Sequence, residues 1–255
     1  MKTYGFVRAV IVILILGSVA CTANLQIRKD QEEASRNLGE VYYRQGNYPA
    51  ALGEFLKAEK IYSGDPFLQN DLGLTYKDMK KMDLAVKHFK KAIEIKPDYA
   101  PAKNNLGTVY LDNQEWDTAI KYFKEATENL LYATPHFPLS NLGWAYYNKK
   151  EYALAEKFYL KALEIDPKFI NALAGLGKTY IAMGRSSEAV ATLEKAVKDY
   201  PRLGQLYFDL ARAYTLSGEY KKALDAYEKA VKFAPDSALA REAKRKAAKV
   251  RKSMR

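Results

Sequence analysis

The chain has 255 residues, one cysteine and a formal charge of +11, with Lys and Arg outnumbering Asp and Glu by 41 to 30. A single cysteine rules out an internal disulfide framework. The length alone allows one domain or two. The first 21 residues read as an export signal and not as part of a fold. Lys2 and Arg8 make a positive start, Ala9 to Leu16 is a short apolar run, and Gly17-Ser18-Val19-Ala20 is small and ends at Cys21. The apolar run is well short of the ~20 residues that a spanning helix needs.

Ser18-Val19-Ala20-Cys21 resembles the lipobox of bacterial lipoproteins, with small Ala20 before the cysteine and Ser18 where leucine is usual. The resemblance implies that Cys21 is lipidated and ties the chain to a membrane. An uncleaved anchor and ordinary signal cleavage stay open as alternatives. Thr22, not aspartate, follows the cysteine. In lipoproteins of diderm bacteria that resembles the pattern sorted to the outer membrane, which implies a periplasm-facing, lipid-anchored location in the cell envelope. Residues 22–31 read as a tether. Asp30 is placed to cap a first helix running to about Gln45.

From residue 32 one pattern recurs. A Leu-Gly step stands at Leu38-Gly39, Leu72-Gly73, Leu106-Gly107, Leu142-Gly143 and Leu176-Gly177, and closes as Leu210-Ala211. A tyrosine follows three residues after each small residue: Tyr42, Tyr76, Tyr110, Tyr146, Tyr180 and Tyr214. The step between tyrosines is 34 residues, with one of 36 between Tyr110 and Tyr146. Alanines seven apart follow in every unit, from Ala51 and Ala58 to Ala223 and Ala230, with Phe55, Phe89, Phe123, Tyr159, Leu193 or Tyr227 between them. A fixed period of this size points to stacked helix pairs. Glycine inside a helix costs about 1 kcal/mol against alanine, so five at one phase imply close helix approach. The alanines are expected to lie against that glycine, with the aromatic rings filling the space between units.

These spacings resemble the tetratricopeptide repeat (TPR) family over roughly Glu32 to Pro235. The resemblance implies an all-α, right-handed superhelical solenoid of six helix pairs, at 32–65, 66–99, 100–135, 136–169, 170–203 and 204–235. The one irregularity is the stretch Asn129 to Pro138, with two extra residues and two prolines. Residues 236–255 form a C-terminal capping helix. Leu239, Ala243, Ala247 and Val250 repeat at helical spacing and cover the last open face. Its other face carries Arg241, Lys244, Arg245, Lys246, Lys249, Arg251, Lys252 and Arg255 against Glu242 alone, eight minus one, or +7. It reads as a solvated cap or as a contact with anionic lipid, an acidic polymer or an acidic partner.

Little in the chain suggests chemistry. The two histidines are His88, expected on the outer side of a second helix, and His136 in the irregular stretch. No His/Cys cluster has metal-ligand spacing, and no phosphate-cradling glycine loop follows a strand pattern. The expectation is a non-catalytic protein with no cofactor, no metal, no small-molecule substrate and no nucleic-acid partner.

Binding is the remaining reading. In TPR folds the first helix of each pair lines the concave face. That face includes Asn171 and Asp209, and the residues assigned to a partner-binding groove are Asn37, Phe67, Asn70, Asn105, Phe137, Asn141, Trp144, Tyr147, Lys178 and Arg212. Asn37, Asn105 and Asn141 share the phase just before the leucine, where an amide can donate to and accept from a peptide backbone. Phe137, Trp144 and Tyr147 suit an apolar peptide. The competing account has Trp144 packing on the extra residues from Tyr132 to Pro138.

Tyr132-Ala133-Thr134-Pro135, leading to Ser140-Asn141-Leu142-Gly143-Trp144-Ala145-Tyr146-Tyr147, is similar to the third-to-fourth repeat junction of the type IV pilus pilotins, the PilF/PilW/Tgl family. Membership implies a lipoprotein that helps the secretin subunit reach the outer membrane and assemble, without catalysis. A generic cell-envelope TPR scaffold for cell-wall or other complexes is the alternative.

Overall fold

The computed structural model describes residues 24–129 and 132–254, and every regular element among them is a helix. The helices are α1 (24–44), α2 (Tyr48–Ile61), α3 (Pro66–Asp78), α4 (Met82–Ile95), α5 (Ala100–Asp112), α6 (Trp116–Thr127) and α7 (His136–Asn148). They continue as α8 (Tyr152–Ile165), α9 (Ile170–Ala182), α10 (Ser186–Asp199), α11 (Gly204–Leu216), α12 (Tyr220–Phe233) and α13 (Ala238–Ser253). That is the expected all-α order of six pairs and a terminal helix. Packing divides them into two compact units, one of the described residues up to Val109 and one from Tyr110 onward.

Each pair closes through the same turn. Asn47, Lys81, Glu115, Glu151, Arg185 and Glu219 each donate their N–H to the carbonyl of the repeat tyrosine five residues back, at 2.8 to 2.9 Å. This bond needs a left-handed residue immediately before the donor. Gly46, Gly184 and Gly218 supply it at φ of 75°, 74° and 80°, and Lys80, Gln114 and Lys150 are held there at 61°, 63° and 63°. The tyrosine of the repeat thus has a backbone duty as well as a packing one.

The twelve repeat alanines are wholly buried, as their spacing implies. The glycine of the Leu-Gly step, however, meets the residue between them. A Cβ on Gly39 would stand 2.5 Å from the Phe55 ring, on Gly73 2.5 Å from Phe89, on Gly143 2.7 Å from Tyr159, and on Gly177 2.6 Å from Leu193. The expected glycine–alanine contact is corrected accordingly. The large side chain of the second helix lies across the glycine, and the alanines flank it one turn to either side.

Two local expectations also change. Asp30 does not cap α1 but lies inside it, accepting from Gln26 Nε2 at 2.8 Å. Residues 24–31, read as tether, are therefore helical. That turn is held by the Gln26–Asp30 pair and by Arg28 Nε, which donates to the last carbonyl of α2, Ile61, at 2.9 Å. His88 is buried, not outward. It stacks on Tyr76 with centroids 5.3 Å apart, and its Nδ1 is 2.8 Å from Gln69 Oε1. Burial lowers its pKa below the ordinary histidine value. Tyr122 and Phe158 hold the same position in the next two pairs and stack on Tyr110 and Tyr146. His88 is the first ring in that series.

In the second unit α7, α9 and α11 pack side by side, and α13 continues the row against α11 while resting on α12. Ala243, Ala247 and Val250 are buried there as their spacing predicts, while Ala240 takes the fourth buried place and Leu239 is only partly buried beside it. At the irregular stretch, residues 128–135 separate α6 from α7, where four residues such as 166–169 suffice at the other junctions.

Candidate functional site

The predicted groove residues sit on the first helices of their pairs and fall into both units. In the first unit, Asn70 is buried and accepts from Asn105 Nδ2 at 2.9 Å, so these two amides satisfy each other between α3 and α5. Phe67 is 42% exposed and lies edge-on against Tyr99, centroids 5.2 Å apart, with Lys96 above it. Asn37 is exposed on α1. Beside it Arg36 reaches Glu40 at 2.7 Å, Asp65 at 3.2 Å and Asp71 at 3.6 Å. Burial, followed by Asp65, pushes the Glu32 carboxyl up to about 7. Burial, followed by Glu40, does the same to Asp71. A cavity of about 340 Å³ opens among Glu32, Arg36, Asp65 and Phe67.

The second unit gathers more of the expected set. Trp144 and Tyr147 on α7 stack nearly parallel, 5.5 Å apart and 9° between planes. Lys178 on α9 holds its Nζ 5.9 Å from the Trp144 ring centroid. The same ammonium is 3.7 Å from Asp209 on α11, and Arg212 reaches that carboxylate at 3.3 Å. Asp209 is only 1% exposed and also accepts from Gln205 Nε2 at 3.0 Å. One buried carboxylate thus anchors both cations that the sequence placed in the groove. Burial raises the Tyr147 phenol pKa.

Beneath this row lies a cavity of about 280 Å³ lined by Asn141 and Trp144 of α7, Tyr159 of α8, and Asn171, Gly175 and Lys178 of α9. Tyr159 reaches it because Gly175 has no side chain: a Cβ there would overlap the Tyr159 ring and hydroxyl. The cavity offers an aromatic wall, two amides, a phenol and an ammonium. Such a surface can bind an apolar side chain and pair the backbone beside it. Phe137 is exposed on the same helix but does not line the cavity. It packs edge-on against Phe169 at 5.1 Å, as Phe67 packs on Tyr99.

Asn171 and Asp209 lie on the face expected to be concave, whereas Tyr159 was expected only in the core. A signal for Asp209 exists, because it stands at the phase of Asn141, just before the leucine. Tyr159 could not be found that way, since its phase reads as core. The rings of Trp144 contact Tyr147 and Lys178; Tyr132 to Pro138 contribute nothing to the cavity wall. Cys21 lies outside the described residues. Among the described residues no group of three His, Cys, Asp or Glu side chains could hold a metal ion, and no helix is long and apolar enough to cross a membrane.

A sequence profile of the tetratricopeptide repeat matches residues 30–98, 66–131 and 98–168, and two further profiles of that repeat match 158–191 and 175–238. No curated protein sequence matches the chain. Among solved structures, Pseudomonas aeruginosa PilF is similar at 18% identity with a TM-score of 0.76, covering 86% of this chain and 99% of that one. PilW, described as a widely conserved type IV pilus biogenesis factor, is similar at 22% identity and a TM-score of 0.77, over 83% of this chain and 97% of that one. YrrB, described as a TPR protein with an unusual peptide-binding site, is 21% identical with a TM-score of 0.58, over 75% and 97% of the two chains.

Proposed function

The chain belongs to the tetratricopeptide repeat family, and from that premise we propose that it is a non-catalytic, protein-binding lipoprotein of the pilotin type. It holds an apolar segment of the secretin subunit of a type IV pilus machine and promotes that subunit's localisation and assembly at the outer membrane. Two supports are the similarity of fold to PilF and PilW and the junction sequence from Tyr132 to Tyr147. Lipid on Cys21 supplies the tether. Each buried methylene contributes about 0.8 kcal/mol, so several acyl chains hold the protein firmly.

The observation that carries the binding role is the exposed Trp144, stacked on half-buried Tyr147, at a cavity with two amides. Trp144 is 38% exposed and stands one residue past the packing glycine, on the phase that leaves the core. A stacked indole adjoining unoccupied volume is the kind of anchor that dominates interfaces. Trp144→Ala tests it by secretin pull-down alongside a melting curve. The expected result is binding weakened by about ten-fold or more with the melting temperature nearly unchanged. Full secretin binding at an unchanged melting temperature would reject the role. A fall in melting temperature matched by the loss of binding would assign Trp144 to packing instead.

A further inference from the structure

The groove leaves one strongly charged surface unused. α13 carries seven cations and one acid between Ala238 and Ser253. Its buried line is Ala240, Ala243, Ala247 and Val250. At 100° per residue, Arg241, Arg245, Lys249 and Lys252 form a stripe directly opposite that line. All four are exposed, and they span about 16 Å of helix axis. Glu242 lies beside the stripe and is engaged by Arg245 at 2.5 Å and Lys246 at 4.0 Å. Lys249 and Lys252 have no ion pair among the described residues.

We infer that the outward stripe of α13 is a second membrane contact, an electrostatic docking face for a bilayer rich in anionic lipid. The stripe has no aromatic side chain, and its only apolar neighbours are the small Ala238 and Ala248. Protein interfaces draw on aromatic anchors and are poor in lysine at their centres, so this face does not fit that chemistry. Arg and Lys can also meet the phosphates and base edges of a duplex, so DNA is the rival ligand in the test. A straight row of cations on a docked helix matches a flat, laterally mobile layer of phosphates. The inference extends the envelope reading of the first 21 residues and does not depend on the groove.

The test is cosedimentation of the full chain in its Cys21→Ala form, so that no acyl chain contributes. Phosphatidylcholine vesicles are compared with vesicles rich in phosphatidylglycerol, at low and high salt. The expected outcome is a preference for anionic vesicles that fades as salt rises. R241Q/R245Q/K249Q/K252Q should lose that preference by about 100-fold while its circular dichroism and melting stay as in the parent. Lys249→Arg with Lys252→Arg should keep it. Equal binding to both vesicle types, an anionic preference retained by the fourfold variant, or binding of duplex DNA without binding of vesicles would each overturn the inference. If the fourfold variant melts early, Lys249→Glu alone decides, with a drop of about ten-fold supporting the face and no change refuting it. Trp144→Ala should leave vesicle binding untouched. An acyl chain missing from the intact protein would count against the anchor and leave this face standing.

Discussion

Asp71 stands at the phase just before the leucine, where Asn37, Asn105, Asn141 and Asp209 also stand, but its neighbours make it unlike them. Burial and Glu40 hold its carboxyl at about 7, and Arg36, 3.6 Å away, opposes them only in part. Glu32 is raised in the same direction. A carboxyl whose folded pKa exceeds its unfolded value near 4 binds its proton more tightly in the native state. Stability from these groups is therefore full below pH 4, falls as pH rises, and is lost by about pH 7. The urea midpoint should drop between pH 5 and pH 8. Asp71→Asn should flatten that slope and gain about 1 kcal/mol at pH 8, a magnitude reduced by Arg36 and by solvent. A midpoint that rises with pH would refute the sign. Gly143 carries a second prediction at this scale. With a Cβ already 2.7 Å from Tyr159, Gly143→Leu has no room and should destabilise by about 3 kcal/mol or more, read from thermal or urea unfolding.

Among the elements, the turn inside each pair is the most uniform. The left-handed residue is glycine in three pairs and Lys80, Gln114 or Lys150 in the others. A side chain in that conformation costs about 1 kcal/mol against glycine. Lys150→Gly should therefore raise stability by up to about 1 kcal/mol, less whatever Gly loses by freeing the unfolded chain. A urea midpoint lower than the parent's would show that the lysine is held there by something other than the turn bond. α13 is legible as an element in its alanine spacing, and it does cover the last pair. α1 was less so, because its first turn is held by Arg28 reaching a carbonyl 33 residues away. No local signal reports such a bond.

For the whole molecule, attachment and charge go together. The net charge of +11 is concentrated near the C-terminus, while Cys21 stands near the other end of the sequence. Mass spectrometry of the membrane fraction should find a lipid-modified Cys21 with nothing preceding it. An intact Met1 to Ala20 on the mature protein would favour the uncleaved anchor. Cys21→Ala should leave the outer-membrane fraction while the repeat helices keep their circular dichroism. Any residual, salt-sensitive association of that variant belongs to α13.

The 34-residue period by itself determined the helix pairs and the buried alanines, and the apolar spacing after residue 236 determined the capping helix. Each follows from spacing along one chain, and helical phase converts spacing directly into a face. Placing Trp144, Tyr147 and Lys178 together was within reach for the same reason, because they share the exposed face of successive first helices. What the tertiary structure decided is what each residue of one phase meets. Asn70 and Asn105 are paired with each other, 35 positions apart, and Asn141 lines a cavity. Asp209 became the buried anchor of two cations, and Tyr159 entered the groove through the space left by Gly175. A repeat writes the same backbone at every unit, so phase alone treats these positions alike. Their roles separate only where two particular side chains from different helices meet, and that depends on volume and hydrogen-bonding partners across the packing.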